Sequence, residues 1–284
     1  MNILSVVWDP SIGFELGPLT IRYYSLMYIL GFAAGYYIMK KIFKNENISE
    51  TLLDPLLTYT VIGTLLGARL GHVFFYDWSS YYKNHLEEIL IPIRKTAEGY
   101  KFTGFQGLAS HGATIGIFLA VLYFWYKHLK GQKSFLWILD RITLTIPIGA
   151  ALIRIGNLLN SEIIGKPTGT NYGFIFKQLG EDFPRYPTQL YEAGAYILLL
   201  FVLLYLYWKT SLKKYEGLLF GIFFSLLWFI RLLIEFYKEP QDDVDAKLLL
   251  DTGLNTGQWL SVPFMLIGVA LIAYSFWRNK KVNG

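Results

Sequence analysis

Seven apolar runs, each long enough to cross a lipid bilayer, dominate this 284-residue chain. A membrane-spanning helix needs about 20 consecutive, mainly apolar residues. Only 17% of the residues are charged, whereas a soluble domain carries about a quarter. The sequence therefore predicts an all-α integral membrane protein, with residues 1–284 forming a single polytopic domain. The predicted spans cover residues 20–41, 52–76, 108–128, 135–158, 190–208, 216–237 and 258–277.

The composition also excludes several kinds of site. The chain has no cysteine, which rules out disulfides, thiolate nucleophiles and cysteine-bound metals. Its four histidines lack the spacing of a helical zinc motif, so we expect no metal and no cofactor. The net charge of +5 is not gathered on a basic face, and nucleic acid is therefore not an expected partner.

Short basic connections predict how the spans are oriented. Lysines or arginines follow the first, third, fifth and last spans, which places them all on one side under an alternating topology. Positive charge on short connections marks the cytoplasmic side. We therefore expect the N-terminus outside and the C-terminus in the cytoplasm. The longer connections, 77–107, 159–189 and 238–257, would then form a small extracytoplasmic cap.

Polar side chains gather at the outer end of the predicted spans. Four of them close the fourth span within nine residues: Arg154, Asn157, Asn160 and Glu162. Ionisable groups at this depth are costly unless they face protein, water or a ligand. Because arginine offers a planar fork of donors that suits phosphate, the convergence predicts a site for an anionic group near the membrane surface. Other spans contribute Tyr24, Arg69, His111, Gln189, Arg231 and Glu235 at the same end.

Each of these residues also has a structural interpretation. Arg231 and Glu235 lie four residues apart and would neutralise each other on one helix face. Arg154 would cap its helix or extend towards lipid headgroups. His111 would be a structural histidine, although the small neighbour Gly112 predicts room for a ligand near its ring.

Three classes of function remain open on this evidence: an enzyme, a transporter or flippase for an anionic lipid, and a structural scaffold. The polar groups lie at one depth instead of lining a path across the bilayer. The sequence also shows no repeat of the kind that many transporters carry. Both features favour the enzyme.

Several segments resemble, in order, the motifs of prolipoprotein diacylglyceryl transferases, bacterial membrane enzymes that lipidate lipoprotein precursors. The most specific is RIGNLLNSEIIG, residues 154–165. The resemblance covers nearly the whole chain, with departures from the family pattern at His72, Ala113 and Tyr186. The other matching segments are residues 22–32, 67–76, 110–116, 186–193, 230–241 and 256–263.

The resemblance implies an active site open to the outer leaflet of the bacterial inner membrane. The implied partners are phosphatidylglycerol, the signal peptide of a preprolipoprotein with its lipobox cysteine, and the surrounding membrane lipids. The diacylglyceryl group would move to the cysteine thiol, forming a thioether and releasing glycerol phosphate. We expect Arg154 and Arg231 to clamp the phosphate and His111 to take the thiol proton. The residues expected to position the substrates are Tyr24, Arg69, Asn157, Asn160, Glu162, Gly165, Gln189 and Glu235.

Overall fold

A computed structural model describes residues 4–17, 19–91, 93–96, 99–102, 107–240 and 243–283. The chain divides into a small unit, residues 43–138, and a large unit, residues 1–42 with 139–284. Gln241, the last residue of one family motif, lies outside the described residues, as do parts of the connections 77–107 and 238–257.

Helices make up most of the described structure. They are α1 (Tyr23–Asn45), α2 (Leu53–His72), α3 (Ser110–Phe124), α4 (Phe135–Thr143), α5 (Ile146–Leu159), α6 (Thr188–Lys209), α7 (Leu218–Glu235), α8 (Asp243–Thr252) and α9 (Thr256–Asn283). Among the described residues, six helices are long and apolar enough to cross a membrane, and the bent pair α4–α5 raises this to as many as seven. The predicted multi-pass, all-α membrane fold is confirmed.

Six short strands accompany the helices in the described part of the chain. They are β1 (Ser5–Trp8), β2 (Gly13–Leu16), β3 (Leu19–Arg22), β4 (Ile93–Thr96), β5 (Gly99–Phe102) and β6 (Gly173–Phe176). β1 pairs with β6 in parallel, whereas β2 pairs with β3 and β4 with β5 as antiparallel hairpins. The indole Nε1 of Trp8, at the end of β1, donates to the carbonyl of Leu158 at 2.8 Å. This bond ties the parallel pair to the end of α5.

The predicted spans agree with the helices to within a few residues, apart from two differences. Residues 20–22, predicted to begin the first span, belong to strand β3. The predicted fourth span, residues 135–158, is two helices that meet at a bend of 43°. Pro147 lies in the first turn of α5, where its missing N–H is tolerated. The same proline cannot donate to the turn before it, so a straight helix through this point is disfavoured.

In the small unit, α2 and α3 pack backbone against backbone. Gly63, Gly67 and Gly71 of α2 face Gly112 and Gly116 of α3, and a Cβ added to Gly67 would lie 2.9 Å from the Cα of Gly116. Small residues spaced four apart allow membrane helices to approach this closely. The space beside Gly112 is therefore filled by α2. This packing gives Gly112 a structural reason to be glycine, and room for a ligand at the exposed His111 ring stays a prediction.

In the large unit, α5, α6 and α7 surround a core built on Ala151, Ala193 and Tyr196. A buried carboxylate secures the start of α7. Asp140 is fully buried, and its two oxygens each accept a backbone N–H at 2.8 Å, from Gly217 and from Phe220. A carboxylate at a helix N-terminus satisfies unpaired donors and interacts favourably with the helix dipole. The far ends of α5 and α7 and the start of α6 carry the polar residues described next.

Candidate active site

Five charged side chains of the large unit meet where α5, α6 and α7 come together. Glu192 lies between two cations, with Arg154 Nε 2.9 Å from its Oε2 and Lys238 Nζ 3.0 Å from its Oε1. The Oε1 atom of Glu235 likewise lies 3.2 Å from Lys238 Nζ and 3.5 Å from Arg231 Nε. We call these five residues the charged cluster. Its three cations and two carboxylates leave one net positive charge.

Most of the charged cluster is withdrawn from water. Glu192 is 0% exposed, Lys238 3% and Glu235 7%. Burying charge is tolerated only when each ion has close partners of opposite sign. Tyr196 adds a hydroxyl that donates to Glu192 Oε1 at 3.3 Å. The two carboxylates are thus held from several directions, and they fix the arginines beside them.

Arg231 is the most accessible member of the charged cluster. Its side chain is 37% exposed, and its guanidinium lies 5.5 Å from the centre of the Trp228 ring. Its Nε atom faces Glu235, whereas its two terminal nitrogens make no hydrogen bond with any residue that the structure describes. Those nitrogens form the planar fork that binds phosphate or carboxylate in a bidentate manner.

Arg154 connects the charged cluster to a second set of polar groups through hydrogen bonds. Its Nη1 donates to Asn157 Oδ1 at 2.9 Å, and Asn157 Nδ2 donates to Glu162 Oε1 at 2.6 Å. Gln189 Nε2 donates to the backbone carbonyl of Glu162 at 2.8 Å. The ring of Tyr24 packs directly on Gly156, where an added Cβ would lie 2.6 Å from Tyr24 Cδ2. The structure thus brings five predicted site residues close to Arg154: Tyr24, Asn157, Glu162, Gln189 and Glu235.

The segment that follows α5 has an unusual backbone. Ser161 and Ile163 have φ values of 53° and 55°, a left-handed conformation that is rare for residues other than glycine and rarer still for β-branched ones. Asn160 caps α5, and its N–H donates to the carbonyl of Gly156 at 3.0 Å. Strain of this kind persists only where the surroundings enforce it.

Those surroundings hold the segment through its carbonyl groups. The carbonyl of Ile163 accepts the Thr188 hydroxyl at 3.2 Å, and that of Gly165 accepts Arg185 Nη1 at 3.0 Å. Hydrogen bonds to Glu181 raise the pKa of Arg185, so its guanidinium stays charged. An added Cβ at Gly165 would lie 2.7 Å from Tyr186 Cβ. Gly165 therefore has a steric reason to be glycine, independent of any substrate.

In and beside the segment that follows α5, two buried side-chain atoms have no hydrogen-bond partner among the described residues. They are the hydroxyl oxygen of Ser161 and Oε1 of Gln189. Buried polar groups are almost always satisfied in folded proteins, and exceptions call for an explanation such as a bound ligand or water. Both atoms flank the Asn157–Glu162 pair.

Arg69 and His111 belong to the small unit and have surroundings of their own. Arg69 is 6% exposed and donates to two backbone carbonyls, Ile89 at 2.8 Å and Glu88 at 2.7 Å. These bonds hold the chain that follows α2, and a role of Arg69 in substrate binding stays a prediction. His111, near the start of α3, is exposed, with its ring 5.4 Å from Phe75 and 5.6 Å from Tyr76.

Comparison with known proteins identifies the family to which this chain belongs. A family model described as prolipoprotein diacylglyceryl transferase matches residues 11–274. The chain belongs to this family. It is 39% identical to the phosphatidylglycerol–prolipoprotein diacylglyceryl transferase of Bacteroides fragilis over 281 residues, which is 98% of this chain and 97% of that protein. It is 43% identical to the protein of that name from Chloroherpeton thalassium over 271 residues, 95% of this chain and 94% of the relative.

Two buried members of the charged cluster, Glu192 and Lys238, were not among the site residues predicted from the sequence. Both lie within segments that match the family motifs, residues 186–193 and 230–241. A signal for Lys238 does exist in the sequence. It lies three residues after Glu235 and seven after Arg231, a spacing that would place all three on one face of a continuous helix, although α7 itself ends at Glu235. No local pattern links Glu192 to Arg154, because that contact joins two helices.

Two residues that depart from the family pattern, His72 and Tyr186, have defined contacts. His72 Nε2 lies 3.0 Å from Asp77 Oδ2. The Tyr186 ring meets that of Tyr237 edge-on, with centroids 5.3 Å apart. Each of these side chains has a nearby partner within its own unit, and neither belongs to the charged cluster.

Only one group of possible metal ligands occurs within the part of the chain that the structure describes. It consists of His85, Glu87 and Glu88, whose ligand atoms lie within 4.8 Å of one another. The Glu88 carboxylate already accepts the Tyr81 hydroxyl at 2.7 Å. A small acidic group of this kind is no evidence for a metal in the family's reaction.

Proposed function

We propose that this protein transfers the diacylglyceryl group of phosphatidylglycerol to the thiol of the lipobox cysteine in a prolipoprotein signal peptide. Membership of the transferase family supports this reaction. The observation in the structure that carries it is the charged cluster, whose Arg231 offers two uncommitted terminal nitrogens beside buried, fixed carboxylates. Such a site suits a phosphate that gains charge as it leaves.

In the proposed reaction the cysteine sulfur attacks the glyceryl carbon that carries the phosphate. A sulfur–carbon bond forms, the carbon–oxygen bond to phosphate breaks, and glycerol phosphate leaves with the bonding electrons. Negative charge builds on the phosphate oxygens during this step. Groups already oriented towards developing charge stabilise a transition state most effectively. We assign this role to Arg154 and Arg231.

Glu192, Glu235 and Lys238 have a positioning role in this proposal. Each arginine lies against one carboxylate, and Lys238 bridges the two carboxylates at 3.0 and 3.2 Å. The lysine also leaves the cluster with a net positive charge, which favours an anionic headgroup. Without it the carboxylates would compete more strongly with phosphate for the arginines.

The thiol proton requires an acceptor, because a free cysteine thiol has a pKa of about 8.5 and is mostly protonated at neutral pH. We assign this role to His111 on chemical grounds, because it is an exposed imidazole within one of the segments that match the family motifs. The remaining predicted positioning residues are Tyr24, Arg69, Asn157, Asn160, Glu162, Gly165 and Gln189. Of these, Asn157 and Glu162 have the most direct support, since both connect to Arg154.

The proposed location is the bacterial inner membrane, with the reaction at the outer leaflet. The N-terminus would lie outside and the C-terminus in the cytoplasm, as the basic short connections indicate. The connections 77–107, 159–189 and 238–257 would then be extracytoplasmic. This sidedness suits a substrate cysteine that reaches the lipid during translocation.

The test is a transfer assay with purified protein, phosphatidylglycerol and a lipobox peptide. The expected product is a peptide heavier by one diacylglyceryl group, together with free glycerol phosphate. A peptide with serine in place of the cysteine should stay unmodified, and Arg231→Lys should lose most of the activity because a point charge lacks the fork. Movement of lipid between leaflets without any covalent product would instead support a flippase.

A further inference from the structure

The hairpin β2–β3 has one apolar and one polar face. Its register pairs Phe14 with Ile21 and Glu15 with Thr20. Because side chains alternate along a strand, Phe14, Leu16 and Ile21 lie on one face. Glu15, Thr20 and Arg22 lie on the other. This division resembles that of elements that rest at a membrane surface, with apolar groups inserted and polar groups in water.

The apolar face is open, although the hairpin lies outside the candidate spans. Phe14 is 43% exposed and Leu16 62%, and Ile12, just before the hairpin, is 46% exposed. Apolar surface in water costs about 25 cal/mol for each Å². Exposed apolar side chains inside a span face lipid as a matter of course, but a hairpin outside the spans needs another explanation.

The hairpin is fixed to the end of a membrane span. Strand β3 ends at Arg22 and α1 begins at Tyr23, with no loop between them. The N–H of Tyr23 donates to the carbonyl of Ile12 at 3.1 Å, and the Phe14 and Tyr23 rings lie 6.1 Å apart. Both strands are therefore held at the point where the chain enters the candidate span, and the end of a span is where the lipid headgroups are expected.

We propose that the apolar face of the β2–β3 hairpin inserts into the bilayer interface around the end of α1. In this proposal lipid covers the apolar face of the hairpin, because that face continues directly into the candidate span α1, where Ile29 is 62% exposed. The hairpin would then set the height of Tyr24, which packs on Gly156 beside Arg154. Insertion of the hairpin into the interface does not depend on the transfer reaction, so the two proposals are tested separately.

Adjacent residues of β2 provide matched test positions, because the chain contains no cysteine. Leu16→Cys places a label on the apolar face, and Glu15→Cys places one on the polar face of the same strand. Both positions are exposed, so labelling does not require unfolding. Each variant is labelled with an environment-sensitive fluorophore and reconstituted into phosphatidylglycerol–phosphatidylcholine vesicles. Some of the lipids carry bromine near the headgroup end of their acyl chains.

The label at position 16 should fluoresce at shorter wavelength and be quenched by the brominated lipids roughly threefold more than the label at position 15. Ile29→Cys, inside α1, serves as the reference for a lipid-facing site. Phe14→Cys should behave like position 16, and Thr20→Cys like position 15. Equal quenching at positions 15 and 16 would overturn the proposal. So would a blue-shifted label at position 16 that brominated lipids do not quench, since that result would mean protein covers the face.

Discussion

Replacing Lys238 with methionine tests whether the charged cluster is built around this buried cation. Methionine keeps most of the length of the side chain and removes the charge. The Glu192 and Glu235 carboxylates then lose contacts of 3.0 and 3.2 Å. Each still retains an arginine, at 2.9 and 3.5 Å respectively. The net charge of the cluster falls from one positive charge to zero.

The expected effects of Lys238→Met on stability and on activity follow from the burial of the lysine and from its distances to charged groups. Removing one partner from a buried ion pair costs about 3–5 kcal/mol of stability, and the retained arginines favour the lower end. For catalysis, a unit charge at an assumed distance of roughly 7 Å from the phosphate would contribute about 2 kcal/mol at an effective dielectric constant near 20. Screening reduces this further, so we expect kcat/KM for phosphatidylglycerol to fall roughly 5- to 30-fold for each folded molecule.

The assay combines thermal unfolding in detergent with initial transfer rates over a range of phosphatidylglycerol concentrations. Lys166→Met is the matched control, because Lys166 donates to the backbone carbonyl of Phe236 at 3.1 Å and contacts no carboxylate of the charged cluster. Lys238→Arg keeps the charge and should retain most of the activity. In the double variant with Glu192→Gln, the net charge returns to one, and the two changes should be non-additive because the two residues contact each other. An unchanged kcat/KM in folded Lys238→Met would refute the positioning role.

The remaining predictions concern the proposed chemistry and the topology. Arg154→Ala and Arg231→Ala should each reduce transfer by at least about 100-fold without preventing insertion, as measured by product mass, because charge develops on the phosphate they would hold. His111→Gln should lower the rate most at low pH, with partial recovery as pH rises. An equal loss at every pH would assign His111 a role other than base. On intact cells, an impermeant thiol reagent should label a cysteine at Asn171 but not at Ser211; the reverse would invert the topology.

The membrane fold could be predicted because lipid imposes a strong and local requirement. A span must be apolar over about 20 residues, and that property is visible without knowing any contact. The bend between α4 and α5 and the short strands were not predicted. Four-residue strands such as β1 carry little pattern of their own, and the partner of β1 is the distant strand β6. The glycines of α2 and α3 are clear in the sequence, but their role in helix packing appears only when both helices are seen together.

The candidate site was predictable where its residues are neighbours along one helix. Arg154 and Asn157 share one turn of α5, and Glu162 follows within the same motif. Glu192 belongs to another helix, and no local pattern connects it with Arg154. The burial of Lys238 also depends on tertiary structure, because lysines near span ends usually extend to water. Long-range pairing of charges was the part that sequence reasoning could not supply.

The strained backbone after α5 explains how the Arg154 network is oriented. If α5 continued as a regular helix, Glu162 would lie five residues beyond Asn157 and turn away from its face. The left-handed conformation of Ser161 reverses the chain instead, and Glu162 returns to accept the Asn157 amide at 2.6 Å. Such conformations cost about 1–3 kcal/mol each. Hydrogen bonds from Gln189 and Thr188 to the carbonyls of Glu162 and Ile163 offset part of that cost. The turn thus orients Asn157 so that its oxygen accepts Arg154 Nη1 at 2.9 Å, and this bond would hold the guanidinium in place in the proposed phosphate clamp.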